Sequence, residues 1–423
     1  MDAQVEVVSF GCRLNAAEAE RVRALATGAA VRPTIVLNTC AVTASAERDA
    51  RRTVRKLRRE RPDADIVVTG CAAQRDPGQF AAMPEVTRVV GNREKLLAET
   101  WAETAPPRLL VGDILAPAAE PRGAEPGPPA ASGVGLTRAV IEAQSGCDHR
   151  CTFCIIPFTR GASRSQPLGV LGARIAALAA AGTREVVLSG VDLTAYGRDL
   201  PGRTGLGAAV RRLLAHVPDL PRLRLSSIDP AEIDDDLVGA FADEARLMPY
   251  AHLSLQSGDD LILKRMKRRH GRAQAIAVAQ RLRRARPDIA FGADMIAGFP
   301  TESEAAAANS RRILDEIGVA FVHTFAFDPR PGTAAARMPQ LPPAEIARRA
   351  AVLREAGRGR LAVHLAAQAG KDLDVLVEGD GTSGHAADFT RVRLSARLPR
   401  GTLQRARAVA VAADHLVATP RFD

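Results

Sequence analysis

The chain has 423 residues, 46% hydrophobic and 25% charged, a balance that supports more than one folded domain and excludes a disordered polyelectrolyte. No run of about 18 uncharged apolar residues occurs, which removes a membrane span, and Met1-Asp2-Ala3-Gln4 lacks the basic and apolar regions of a signal peptide, so a cytoplasmic protein with no membrane partner is expected. The net charge of +10 suits a polyanionic partner, and six cysteines in a long chain of a reducing compartment point to metal or catalytic work, not disulfides.

Residues 1–104 alternate short apolar runs (Val5–Phe10, Thr34–Leu37, Asp65–Val68) with helical stretches such as Ala44–Arg61. This is the pattern of a small parallel sheet with crossover helices. Each run is followed by a cysteine: Cys12, Cys40 and Cys71. Singly, each would pass for a small buried hydrophobe. The carboxyl ends of parallel strands line one crevice, however, so all three can converge on one bulky ligand, with Gly11 and Gly70 letting the backbone approach it. Residues 105–132 then hold seven prolines and read as a linker.

Between 137 and 327, six β-type runs alternate with helical stretches: Ala139–Gln144, Glu185–Leu188, Leu223–Ser226, His252–Leu255, Ala290–Ile296 and Phe321–Phe327. Their spacing predicts a partial (β/α)6 barrel of the TIM type, with chemistry at the strand carboxyl ends. A long helix is expected over 343–369, and alternation over 371–423 predicts a small β-barrel. The fold class is therefore α/β, in segments 1–104, 133–370 and 371–423.

Cys147, Cys151 and Cys154 lie within eight residues, just past the first barrel strand. Three thiolates on one loop can hold three irons of a cubane cluster and leave the fourth open to substrate. A zinc site completed by His149 or His252 is the rival, but zinc sites favour paired C-x-x-C spacings, and no second pair is present. Basic residues cluster on the helix after Cys40 (Arg48, Arg51, Arg52, Arg55, Lys56, Arg58, Arg59, Arg61), where positions 48, 51, 55, 58 and 59 fall on one face. Further clusters are Lys264–Arg269 and the tail segment 389–410, which has six arginines and no acid. Together these patches favour RNA.

The C-x-x-x-C-x-x-C loop resembles the signature of the radical S-adenosylmethionine superfamily. The segments Ser9–Asn15, Asn38–Thr43, Thr69–Gln74, Cys147–Arg160, Leu188–Gly197, Leu223–Pro230, His252–Met266, Asp294–Thr301 and Pro329–Thr333 resemble the methylthiotransferases of that superfamily, most closely the branch acting on N6-threonylcarbamoyladenosine of tRNA. Sister branches act on isopentenyladenosine of tRNA or on a ribosomal-protein aspartate. The tail Val375–Leu394 looks like a TRAM domain, the family's RNA-binding barrel. The resemblance implies two 4Fe-4S clusters, one on Cys147, Cys151 and Cys154 as the catalytic set and an auxiliary one on Cys12, Cys40 and Cys71. It also implies S-adenosylmethionine, with Ser189, Gly190, Ser226, Gln256 and Asp294 as cofactor contacts, a tRNA anticodon arm as partner, and a flavodoxin- or ferredoxin-type electron donor. Phe153, Phe158, Tyr196 and Phe299 are the expected stacking residues for an extruded base. The remaining alternative is a non-enzymatic RNA-binding metalloprotein.

Overall fold

The computed structural model describes residues 5–29, 32–102, 106–116 and 137–422. It separates into two compact units, one of residues 1–132, 140–164 and 328–336, the other of residues 133–139, 165–327 and 337–423.

In the first unit, β1 (Val5–Ser9), β2 (Thr34–Thr39), β3 (Asp65–Gly70), β4 (Arg88–Val90) and β5 (Leu109–Leu110) form a parallel sheet in sequence order. The helices α1 (Arg13–Thr27), α2 (Ala44–Glu60), α3 (Cys71–Arg75), α4 (Pro77–Ala81) and α5 (Ala98–Ala102) intervene. The strands read as continuous apolar runs because successive side chains go to opposite, equally buried faces. Ile35, Leu37, Ile66 and Val68 pack with Val54 and Phe80, whereas Val36, Val67 and Val90 pack with Val22 and Trp101. α2 begins where Thr43 caps it, its hydroxyl accepting from the Ala46 amide at 3.2 Å.

β5 falls inside the segment expected as linker, so the sheet runs past residue 104. Two leucines among prolines carry no readable period, and their register with Val89 and Val90 makes them a strand. Residues 105 and 117–132 of that segment lie outside the described residues.

β6 (Arg138–Ser145) begins in the second unit and ends in the first, followed by α6 (Pro157–Arg160) and β7 (Arg164–Ser165). The second unit continues with α7 (Leu168–Ala180), β8 (Glu185–Gly190), α8 (Leu206–His216), β9 (Arg222–Leu225), β10 (Ser227–Ile228), α9 (Asp235–Asp243), β11 (Tyr250–Gln256), α10 (Asp260–Arg265), α11 (Arg272–Ala285), β12 (Ala290–Ala297), α12 (Glu304–Ile317) and β13 (Val319–Ala326). All six expected strands exist, the third being broken at Ser226 into β9 and β10. β8 pairs with β9, and β10, β11, β12 and β13 form a second parallel run with β13 at its edge. This strand and helix alternation is the expected partial barrel.

After α13 (Pro343–Gln368), the strands β14 (Asp372–Glu378), β15 (Ser383–Ala386), β16 (Arg391–Leu394), β17 (Leu403–Val411) and β18 (Leu416–Pro420) close into a barrel in the order β14-β15-β16-β18-β17. Alternation fills it with Val375, Val377, Val392, Ala406 and Leu416 and turns arginines outward. The small barrel does not separate at residue 371 as a unit of its own. Phe389 stacks on His385 at 4.9 Å between centroids, meets Tyr250 at 5.1 Å and lies 4.7 Å beneath the Arg224 guanidinium. Arg224 in turn is paired with buried Glu185 at 2.9 Å. Burial alone would raise the Glu185 carboxyl, but Arg224, Arg138 and Arg222 outweigh it and hold it down at about 2.

Candidate metal centres and substrate face

Both cysteine triads belong to the first unit. Cys12 follows β1, Cys40 follows β2, and Cys71 opens α3 directly after β3. Gly11, at φ 85°, explains how two of these strand ends approach: a Cβ there would lie 2.5 Å from Cys40 Sγ. Two N–H groups already address the sulfurs, the Val42 amide donating to Cys40 Sγ at 3.5 Å and Asn92 Nδ2 to Cys71 Sγ at 3.6 Å. Burial pushes the Cys40 thiol up to about 11, against the Val42 amide, and nearby Cys71 and Cys12 add to the rise. Two sulfurs close enough to act on the Cys40 thiol, with N–H donors on Cys40 and Cys71, fit a cluster whose positive metals would favour the thiolates.

The other triad is local. Gly146, at φ 73°, turns the chain so tightly that a Cβ would meet the Ala162 carbonyl oxygen at 1.9 Å. The Cys147 amide donates to the Gly161 carbonyl at 3.0 Å, and the Cys154 amide to the Cys151 carbonyl at 3.1 Å. Asp148 accepts from the Ser163 amide at 3.0 Å, and the Thr152 carbonyl accepts from the Ala335 amide at 2.8 Å. Cys147, Cys151 and Cys154 are all half-buried, and no described cysteine is in a disulfide. Three soft ligands on one pinned, part-exposed loop fit an iron–sulfur cluster with an accessible metal.

A buried charge cluster in the same unit has no signature along the chain. Glu18 is bonded to Arg160 at 2.8 Å and to Lys95 at 2.7 Å, while Arg160 also donates to Asn15 Oδ1 at 2.6 Å. Burial opposes ionisation of Glu18, yet the two cations keep its carboxyl below the usual range. Asn92 joins this cluster to Cys71 and to α6, bonding Lys95 at 2.7 Å, the Thr159 carbonyl at 2.7 Å and Cys71 Sγ at 3.6 Å. On β6, Glu142 is pushed up to about 7 by burial and by Glu18. Glu47 likewise receives Arg75 at 2.9 Å and, from the 328–336 segment, Arg330, and Ala44 donates to Asp328 at 2.6 Å.

In the second unit, Ser189 and Gly190 end β8, and the Gly190 amide donates to Ser226 Oγ at 3.4 Å. Gln256 ends β11 at a left-handed φ of 66°, a strained position for a non-glycine residue. Asp294 is differently committed. Its Oδ1 accepts from His252 Nε2 at 2.9 Å and His323 Nδ1 at 3.2 Å, and His252 Nδ1 meets Tyr250 Oη at 2.8 Å. Both ring nitrogens of His252 are thus bonded to residues of its own sheet. Of the expected stacking residues, Tyr196 is buried with its hydroxyl on the Gln166 carbonyl at 2.8 Å, and Phe299 is core against Phe327. Phe158 is exposed. Phe325, within the sixth expected strand, is exposed on β13.

Residues 141–313 match the radical SAM superfamily, and residues 4–91 match the uncharacterized protein family UPF0004. A threonylcarbamoyladenosine tRNA methylthiotransferase MtaB of Rickettsia prowazekii is 44% identical over 96% of this chain and 95% of its own. The chain belongs to the radical S-adenosylmethionine methylthiotransferase family. A second MtaB, from Chlamydia pneumoniae, is 33% identical over 92% of this chain and 90% of its own. A tRNA-2-methylthio-N(6)-dimethylallyladenosine synthase of Erythrobacter litoralis is 34% identical over 89% and 86%. Among solved structures, the radical S-adenosylmethionine methyltransferase TsrM of Kitasatospora setae shares the fold at a TM-score of 0.55, with 14% identity over 79% of this chain and 77% of that one.

The basic patches of this methylthiotransferase are thinner than its sequence implies. Arg58 on α2 folds back onto the Glu85, Pro62 and Ala64 carbonyls, and Arg51 bonds Gln79, so the expected five-residue face is partly spent on structure. Near α10, Arg268 is paired with Asp229 at 3.0 Å and Arg269 with Glu232. On the small barrel, Arg405 and Arg407 both face Asp372 at 3.5 Å and Arg391 faces Asp414 at 2.6 Å. Those acids lie outside 389–410, where a count along the chain does not see them. Arg48, Arg52, Arg55, Lys56 and Arg59 on α2 remain exposed. No described helix is long and apolar enough to cross a membrane.

Proposed function

We propose that this chain is a cytoplasmic tRNA methylthiotransferase converting N6-threonylcarbamoyladenosine beside the anticodon into its 2-methylthio derivative, fed by a flavodoxin- or ferredoxin-type donor. The observation that carries it is the gathering of two three-cysteine sets in one compact unit. The target C–H of an adenine ring has no useful acidity, so a positioned base alone could not open it. A cluster held by Cys147, Cys151 and Cys154 would pass the donor's electron to S-adenosylmethionine, splitting it into methionine and a 5′-deoxyadenosyl radical, and one held by Cys12, Cys40 and Cys71 would supply or present sulfur.

The chain's own residues do the rest. Cys147, Cys151 and Cys154 hold the first cluster on a loop pinned by Gly161 and Ala335. Cys12, Cys40 and Cys71 hold the second, with Val42 and Asn92 donating to sulfur and so stabilising thiolate charge. Ser189, Gly190, Ser226 and Gln256 offer strand-end groups to S-adenosylmethionine, and Ser226 orients the Gly190 amide. Asp294 we assign to its histidines instead of to the cofactor. Exposed cations of α2 and the small barrel steer the anticodon arm.

Nucleoside mass spectrometry of tRNA from strains with and without the gene tests this reading. Loss of 2-methylthio-N6-threonylcarbamoyladenosine is expected on deletion. Its persistence, with loss of the isopentenyl derivative or of a methylthio mass on a ribosomal protein, would move the substrate to a sister branch.

A further inference from the structure

The relatives are named for two adenines whose N6 groups differ in charge: a threonylcarbamoyl group is polar and ends in a carboxylate, whereas a dimethylallyl group is hydrocarbon. A site that selects the first needs a hydrogen-bond donor able to carry positive charge, facing open space beside a surface for the base. Most cations near the strand ends are spent: Arg198 and Arg269 on Glu232, Arg268 on Asp229, and Arg224 on Glu185. Among the described residues, an imidazole on β13 meets the requirement. His323 lies on β13, the edge strand of its sheet, with its side chain 57% exposed. Phe325, two residues on and therefore on the same face, is 41% exposed.

We infer that His323 binds the carboxylate of the N6-threonylcarbamoyl group, with Phe325 as the platform on which the adenine stacks. The inference rests on the function proposed above and names the group that reads that substrate. The geometry behind His323 supports it. Asp294 sits opposite His323 in the register of β12 and β13, as Ile296 sits opposite Phe325. The carboxylate of Asp294 receives Nδ1 of His323 at 3.2 Å, which fixes the ring and leaves Nε2 as its second hydrogen-bonding nitrogen. His252, braced by Tyr250 at 2.8 Å, holds the other side of Asp294 at 2.9 Å. Asp294 is kept ionised by these imidazoles, against the effect of burial. An imidazole held by one carboxylate through Nδ1 offers a second carboxylate its Nε2, and a ring that bonds both as a donor does so through charge-assisted hydrogen bonds. His323 is thus the binding residue, and Asp294 and His252 are positioning residues that act through it. Stacking on Phe325 is indifferent to the N6 substituent, so the two side chains divide the work: one holds the base, the other reads its appendage.

The test uses reconstituted holoenzyme and anticodon stem-loops carrying either N6-threonylcarbamoyladenosine or its methyl ester, which removes only the charge. Wild-type enzyme should prefer the free acid by about 10- to 100-fold in kcat/KM, the range of a charge-assisted hydrogen bond. His323→Ala should bring that ratio close to one, and His323→Arg should restore a preference for the acid. Phe325→Leu should raise KM for both substrates alike and leave the ratio intact. Asp294→Asn should shrink the ratio without abolishing it, and it serves also if the alanine variant does not fold. Retention of the full preference in both His323→Ala and Asp294→Asn would overturn the inference, as would a stoichiometric non-iron metal on His252, Asp294 and His323 that His323→Ala releases. Wild-type enzyme inactive on both stem-loops would instead defeat the proposed function.

Discussion

The two cysteine triads of the first unit are built by opposite routes. Cys147, Cys151 and Cys154 share one loop, closed by the Gly146 turn and the bond from Cys147 to Gly161. Cys12, Cys40 and Cys71 arrive from three strand ends and meet only because β1, β2 and β3 are parallel neighbours. A local set needs correct turns; a dispersed set needs a correct sheet. The buried cluster of Glu18, Arg160 and Lys95 ties the regions together, since Arg160 comes from the segment after the loop while Glu18 lies on α1.

The sharpest way to break this comparison is to remove each set in turn. Alanine at Cys147, Cys151 and Cys154 should abolish both 5′-deoxyadenosine formation and methylthio product. Alanine at Cys12, Cys40 and Cys71 should abolish product but leave S-adenosylmethionine cleavage. Iron should fall by about four per chain in either case. Loss of all iron from one triple variant would show that the sets are not independent.

Arg160→Met tests the tie between them. It leaves Glu18 buried with Lys95 alone and should cost about 3 kcal/mol, read as a lower melting temperature of the cluster-free chain. An unchanged melting temperature would mean that the buried pair holds nothing together.

The smallest effect is expected at Glu142. Its folded pKa, about 7 against an ordinary 4.5, means that the unfolded chain ionises first as pH rises. The chain therefore loses stability between those two values. Glu142→Gln should remove that loss, gaining roughly 1–3 kcal/mol at pH 8 and almost nothing at pH 4 in denaturant titrations. A gain that is the same at both pH values would show that the cost is steric and not electrostatic.

The local triad was legible outright, because three thiols within eight residues have few other uses. The dispersed triad needed one further step, from apolar runs to strand ends, and the sheet's sequential order keeps those ends adjacent. The charged surfaces were the least legible. Arg58 spends its guanidinium on carbonyls, and Asp372 and Asp414 offset arginines that a count over 389–410 leaves unopposed.

By itself, the sequence determined most of the elements, the strand-end and loop positions of the six cysteines, and the family, since turns, strand periods and cysteine spacing act over a few residues. Tertiary structure alone decided that β5 joins the first sheet, that Glu18 meets Arg160 across 142 positions, and that Asp294 is bonded to both His252 and His323. Those outcomes depend on which side chains distant segments bring within hydrogen-bonding reach, and no local pattern records that.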